Sequence, residues 1–193
     1  MNAARRSAGR VPLAARALLP ALGAAALVGT VVAPASAAPI PVACSEAALN
    51  SAITTANSGG GTLALFPGCT YTLTAPLPTI SANVVIEGRV ATITRSATAP
   101  DFGILRVNNA GNLDIRNIII SNGAATAGGD FGGGIRNDGT LRVSQSIIKN
   151  NRAQFSGGIG NNSGTVTSTA SVIAHNTPNN CVTSSPAVPQ CLN

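Results

Sequence analysis

A short phrase of glycine followed by alternating aliphatics occurs three times in the second half of this chain, and it limits the folds open to it. It reads Gly111-Asn112-Leu113-Asp114-Ile115, then Gly139-Thr140-Leu141-Arg142-Val143, then Gly164-Thr165-Val166-Thr167-Ser168, giving periods of 28 and 25 residues. Each copy is followed by a second aliphatic step (Ile119-Ile120, Ile147-Ile148, Val172-Ile173) and a polar corner (Asn122-Gly123, Asn150-Asn151, His175-Asn176). A third feature, Gly133-Gly134-Ile135-Arg136-Asn137, returns as Gly157-Gly158-Ile159-Gly160-Asn161. Less exact copies stand earlier, at Gly61-Thr62-Leu63-Ala64-Leu65 and Asn83-Val84-Val85-Ile86.

Strands of three to five residues separated by Gly and Asn corners cannot bury an apolar face alone. Stacked coils can, because each strand pairs with its equivalent one coil away at about 4.8 Å. The repeat therefore predicts an all-β fold, a short right-handed parallel β-helix of about five coils at about 25 residues each. Leu113, Leu141 and Val166 are expected to form one inward column, Ile115 and Val143 another, and Ile119, Ile147 and Val172 to be buried with them. Asn at the corners tolerates left-handed backbone and can bond to the amide above. The Gly-Gly pairs are expected to bend the chain tightly between faces. A leucine-rich horseshoe is disfavoured, since the repeats contain neither helices nor the full leucine consensus.

Residues 1–37 read as a secretory signal peptide, cleaved near Ala37. Arg5, Arg6, Arg10 and Arg16 form a positive start, Leu18 to Ala33 is apolar, and Ala35-Ser36-Ala37 supplies small-x-small. Sixteen residues broken by Pro20, Gly23 and Gly29 fall short of the roughly 20 that span a bilayer, so no transmembrane segment is expected. Those four arginines belong to a total of twelve Lys and Arg, which leaves eight against six acidic residues after position 37, a charge of +2. That balance offers no basic stripe, and one tyrosine with no tryptophan offers no stacking platform, so nucleic acid is not an expected partner.

One domain is expected over 38–193. Within it, 45–57 reads as a capping helix, 61–176 as the coils and 177–193 as a C-terminal loop cap. Ser45 suits an N-cap, Glu46 a first turn, and Ala48, Leu49, Ala52, Ile53 and Ala56 share one helical face. Such a helix would cover the apolar cross-section that a stack of coils exposes at its end. Cys44, Cys69, Cys181 and Cys191 are even in number and clustered at the two ends, which favours disulfides, with three connectivities formally possible. Zinc is disfavoured, as no C-x-x-C exists and His175 is not at ligand spacing. Five stacked coils put the ends some 25 Å apart, while a disulfide holds its Cα atoms at about 6 Å. The expected pairing is Cys44–Cys69 and Cys181–Cys191.

The helix from Ala47 to Asn57, the passage Gly68-Cys69-Thr70-Tyr71-x-Leu73 and the Gly-Gly-Ile-x-Asn repeats resemble secreted right-handed β-helix repeat proteins of the pectate-lyase-like superfold. The tetrads Gly132-Gly133-Gly134-Ile135 and Ser156-Gly157-Gly158-Ile159 are similar to polymorphic-membrane-protein-type repeats. In those, the tetrad is partnered by F-x-x-N; here the partner stands as Ile148-x-x-Asn151 and Ile173-x-x-Asn176, without the aromatic. The resemblance spans nearly all of the chain after position 37 and implies the fold but little about activity, because the superfold hosts lyases, hydrolases, adhesins and tail-spikes alike.

For activity, the resemblance implies either a calcium site of acids beside an Arg or Lys, or paired carboxylates. After position 37 the chain offers Glu46, Glu87, Asp101, Asp114, Asp130 and Asp138. Aligned coils put Asp114 beside Arg142, and Glu87 beside Arg116, which reads as a ladder of surface ion pairs. Asp114 and Arg142 are also the candidate catalytic pair. Gly157-Gly158-Ile159-Gly160-Asn161-Asn162 is similar to a calcium nonapeptide but lacks both tandem copies and the carboxylate. His175 occupies a corner with no serine placed beside it. The expectation is a secreted monomeric surface or binding protein for polysaccharide or a cell-envelope component, with no cofactor or metal. The alternative is a small polysaccharide lyase or hydrolase.

Overall fold

The structure, a computed structural model, describes residues 37–128, 131–181 and 184–191. The expected leader up to residue 36, and Asp130, lie outside the described residues. The glycine-aliphatic phrases become short strands, each paired with its equivalent one repeat away. In chain order these are β1 (Ile40–Val42), helix α1 (Glu46–Gly59), β2 (Gly61–Leu65), β3 (Thr70–Leu73), β4 (Asn83–Arg95), β5 (Leu105–Val107) and β6 (Asn112–Ser121). There follow β7 (Ala124–Ala125), β8 (Ile135–Asn137), β9 (Thr140–Ser144), β10 (Ile147–Lys149), β11 (Arg152–Ala153), β12 (Ile159–Asn161), β13 (Thr165–Thr169) and β14 (Val172–Ala174).

The fold is mostly β, and every pairing among the described strands is parallel. A nine-stranded sheet runs β1-β2-β4-β6-β10-β14, with β3 on β4 and β9 joining β6 to β13. Two smaller sheets, β5-β8-β12 and β7-β11, complete it. Register follows the repeat: Val84, Leu113, Leu141 and Val166 are successive partners, as are Ile86, Ile115, Val143 and Ser168. All eight are buried, so the two inward columns are those read from the sequence.

The second aliphatic step faces the other way from the expected one. Ile147 and Val172 are exposed, at 36% and 54%, and Ile119 is half-buried; the buried partners are Ile118, Ile120, Ile148 and Ile173. A left-handed residue precedes each step (Asn117, φ 53°; Gln145, φ 50°; Ala170, φ 49°) and shifts the in–out alternation by one. The first inward position after it is then Ile118, Ser146 or Ser171. Ser146 Oγ accepts from Ile118 N at 3.2 Å, and Ser171 Oγ from Ser146 N at 3.1 Å, so in the last two repeats a serine ties the corner to that of the repeat before.

Asparagine works at two different places. Left-handed backbone falls at Asn122, Asn150 and His175 (φ 60°, 56° and 56°), while the next residues, Asn151 and Asn176, carry the buried ladder. Asn151 Nδ2 donates to Asn176 Oδ1 at 3.0 Å, and Asn176 Nδ2 to Asn180 Oδ1 at 2.9 Å. A second ladder joins Asn137 Nδ2 to Asn161 Oδ1 at 2.7 Å. The glycine tetrads also differ from expectation. Gly133 and Gly157 have no positive φ; each lies so close to the backbone of the next repeat, at Arg152 and Thr177, that a Cβ has no room.

Helix α1 begins as read: the Ser45 side chain accepts from Ala48 N at 3.2 Å, and Leu49, Ala52, Ile53 and Ala56 are buried. Its C-cap is Gly60, at φ 79°. Strand β1 was missed, because Pro41 sits in its centre; proline is tolerated there because β1 is an edge strand paired only with β2. The buried Tyr71 ties it down, its Oη donating to Val42 O at 2.9 Å and accepting from Phe66 N at 3.0 Å. Both disulfides close as expected, Cys44–Cys69 and Cys181–Cys191, with Cα separations of 5.8 and 6.1 Å. Two closed bonds and no free thiol fit an oxidising compartment. No helix among the described residues is long and apolar enough to cross a membrane.

Candidate functional site

Alternation along β6 and β9 points Asp114 and Arg142 outward, and their Cα positions pair across the two strands. Their side chains nevertheless choose other partners. Asp114 Oδ2 accepts from Arg116 Nη2 at 2.7 Å and Nε at 3.2 Å, while Arg142 Nη1 donates to Asn112 Oδ1 at 2.9 Å. Residues two apart share a face of a strand, and the long arginine folds back to present two N–H groups to one carboxylate. Glu87 does meet Arg116, at 3.4 Å. Arg116 thus sits between two carboxylates, and the Asp114 hydrogen bond chiefly raises its already high pKa. With Arg116 half exposed, such a pair contributes at most about 1 kcal/mol.

The other described acids are also engaged. Asp101 pairs with Arg152 at 2.7 Å, lies 4.0 Å from Arg95 and accepts from Thr126. The Thr126 and Arg152 hydrogen bonds hold it below the ordinary carboxylate range. Asp138 meets Arg136 at 3.1 Å and Arg106 at 3.8 Å, and accepts from Asn162 Nδ2 at 2.8 Å. Glu46 does more than face the helix dipole: it accepts from Thr74 N, Thr74 Oγ1 and Ala75 N at 2.9, 2.8 and 3.0 Å, fastening α1 to the loop after β3. Desolvation alone would raise its pKa, but the three hydrogen bonds together lower it.

A depressed carboxylate contributes stability above its unfolded pKa and loses it as pH falls through the lower, folded value. Glu46→Gln is therefore expected to lower the melting temperature at pH 7 and to flatten the loss of stability below about pH 4. Thermal melts of both proteins across that range check it; parallel curves would show that Glu46 carries no such linkage.

His175 is an exposed corner residue, and among the described residues no three His, Cys, Asp or Glu side chains gather as metal ligands. The concave surface lies elsewhere, on the β5-β8-β12 side. One cavity of about 290 Å³ is lined by Leu77, Thr79, Asp101, Arg106, Phe131 and Arg136 among others. A second, of about 140 Å³, is lined by Phe131, Phe155, Asn161, Asn162 and Ser185. They meet at Phe131. Its ring carries the Arg136 guanidinium 4.4 Å from the centroid, and it packs so closely on Gly160 that a Cβ there has no room. Phe131 and Phe155 form a parallel bridge, one repeat apart.

Asp101, Arg136, Asn161 and Asn162 were noted in the sequence for other reasons, but Phe131 and Phe155 were not singled out, although a signal was there. Phe131 stands four before Ile135, and Phe155 four before Ile159, so the phenylalanines share the period of the glycine tetrads. Comparison with known proteins adds no relative: no family model, no curated protein and no solved structure matches this chain.

Proposed function

We propose that this chain is a secreted right-handed parallel β-helix of about five coils, in the pectate-lyase-like superfold, that binds polysaccharide or another cell-envelope component without cleaving it. Parallel, in-register pairing across three sheets at the sequence period supports the helical reading. The observation that carries the binding reading is the fate of the acids. Glu87, Asp101, Asp114 and Asp138 each have an arginine within 4.0 Å, and Glu46 is bound to a loop. Carboxylates neutralised in this way are poor general acids or bases, whereas glycoside hydrolysis needs two that flank the scissile bond.

The Glu87–Arg116–Asp114 cluster favours a second reading, a small polysaccharide-active enzyme, because it sets two acids around one cation on an outer face. Incubating the protein with a polysaccharide panel, and reading both retention and new unsaturated or reducing ends, separates the two. Retention without new ends is expected. Release of ends that Asp114→Asn abolishes would replace the binding reading with the enzymatic one.

A further inference from the structure

Building on that binding reading, we infer that the corner at Phe155 is a subsite for a single neutral sugar ring. Phe155 is 44% exposed in a protein that buries most of its large apolar side chains. It forms one wall of the smaller cavity with Phe131, and the rest is amide and hydroxyl: Asn161, Asn162 and Ser185. A pyranose offers flat patches of C–H edged by hydroxyl groups. It needs an apolar ring face to lie on and neutral hydrogen-bonding groups around it. The phenylalanines supply the first and the exposed Asn162 and Ser185 the second, while the buried Asn161, both of whose N–H groups are already donated within the protein, acts as support.

The size of the cavity selects the ligand further. About 140 Å³ is well below the roughly 300–1,000 Å³ of pockets that enclose drug-sized molecules, so it admits one ring. None of the five lining residues is charged, which favours a neutral sugar over a uronic acid. The amides are held before any ligand arrives. Asn161 Nδ2 donates to Gly164 O and Pro186 O, its Oδ1 accepts from Asn137, and Asn162 Nδ2 donates to Asp138. Groups fixed in this way lose little freedom on binding. Because the larger cavity also reaches Phe131, a longer glycan seated at Phe155 continues past that ring toward Arg136 and Arg106.

Native gels cast with amylose, xylan, galactomannan or polygalacturonate test the subsite by retardation. Wild type and Phe66→Ala, a comparably exposed phenylalanine (62%) outside the cavity, are expected to be retarded equally by at least one neutral polymer. Phe155→Ala is expected to bind about tenfold more weakly, the scale of one lost aromatic contact, while Phe155→Trp binds as wild type. Phe155→Trp also guards against a Phe155→Ala protein that fails to fold. If Phe155→Ala is retarded like wild type, or polygalacturonate alone retards the protein, the subsite is overturned and the broader binding reading survives. If no polymer retards wild type, both fall.

Discussion

Replacing Cys44 and Cys69 together with serine is expected to lower the unfolding free energy by about 3–4 kcal/mol, the larger of the two disulfide losses. The bond closes a 25-residue separation, and on the chain-entropy account the constraint on the unfolded state grows with loop length. The loop it closes contains the whole of α1 and β2, so it also fastens the helix that covers the first repeat. Leu49, Ile53 and Ala56 still bury against the core without it, so the double mutant is expected to fold. Its amides in α1 should exchange first. The same replacement at Cys181 and Cys191, separated by 10 residues, is expected to cost about 2.5–3 kcal/mol. Urea melts of the two double mutants give the comparison directly. A larger loss at Cys181–Cys191 would mean that the tail, rather than the helix, is the structurally critical cap.

Asn151→Ala is expected to be nearly as damaging, at about 3 kcal/mol, whereas Asn150→Gly beside it should fall within about 0.5 kcal/mol of wild type. The Asn151 side chain is buried and joins neighbouring repeats. Its Oδ1 accepts from Gly123 N at 2.8 Å, and its Nδ2 donates to Ile120 O at 3.2 Å and Asn176 Oδ1 at 3.0 Å. Truncation leaves Gly123 N without this acceptor and takes one donor from Ile120 O and one from Asn176 Oδ1, which keeps Asn151 N at 2.9 Å. Leaving a buried group unsatisfied costs about 1–3 kcal/mol. Asn151→Asp should be worse at neutral pH, since a carboxylate oxygen would face the Ile120 carbonyl and the Asn176 oxygen. Asn150 is exposed and left-handed (φ 56°), a conformation that glycine adopts freely. Equal losses at the two positions, measured by urea denaturation, would contradict the division of labour between corner and ladder.

The contrast between these two asparagines shows what could be read from the chain and what could not. Repetition exposes the fold, because every copy of the glycine-aliphatic phrase must solve the same burial problem, and the inward column at Leu113, Leu141 and Val166 follows from alternation alone. The helix is legible from Ser45 and its apolar face, and the disulfides from the distance between chain ends. The second step is misread because period two carries no phase across a corner: one left-handed residue, at Asn117 or Gln145, exchanges inside for outside. Strand β1 hid behind Pro41. The partner of Asp114 was set by side-chain reach along one strand rather than by pairing between strands, which a coil alignment cannot express. The cavities were hidden for a different reason. Phe131 and Phe155 repeat only twice, and what makes them a wall is Gly160 beneath and Arg136 above, contacts that become neighbours only after stacking.

Stacking of one repeat directly on the next is the premise of the columns, the ladders and the cavity, and paired cysteines measure it most directly. Ile119 and Ile147 are Cα partners on adjacent strands, and Thr92 is the partner of Ile119 on the other side. Adjacent strands lie about 4.8 Å apart, within the range a disulfide spans, and strands two steps apart at about 10 Å lie beyond it. The native cysteines are already paired and leave no free thiol to compete. Mild oxidation of Ile119→Cys/Ile147→Cys, followed by proteolysis and mass mapping without reduction, is expected to yield a peptide joining positions 119 and 147. Thr92→Cys/Ile147→Cys should yield none. A cross-link between 92 and 147 in the absence of one between 119 and 147 would contradict the stacking order.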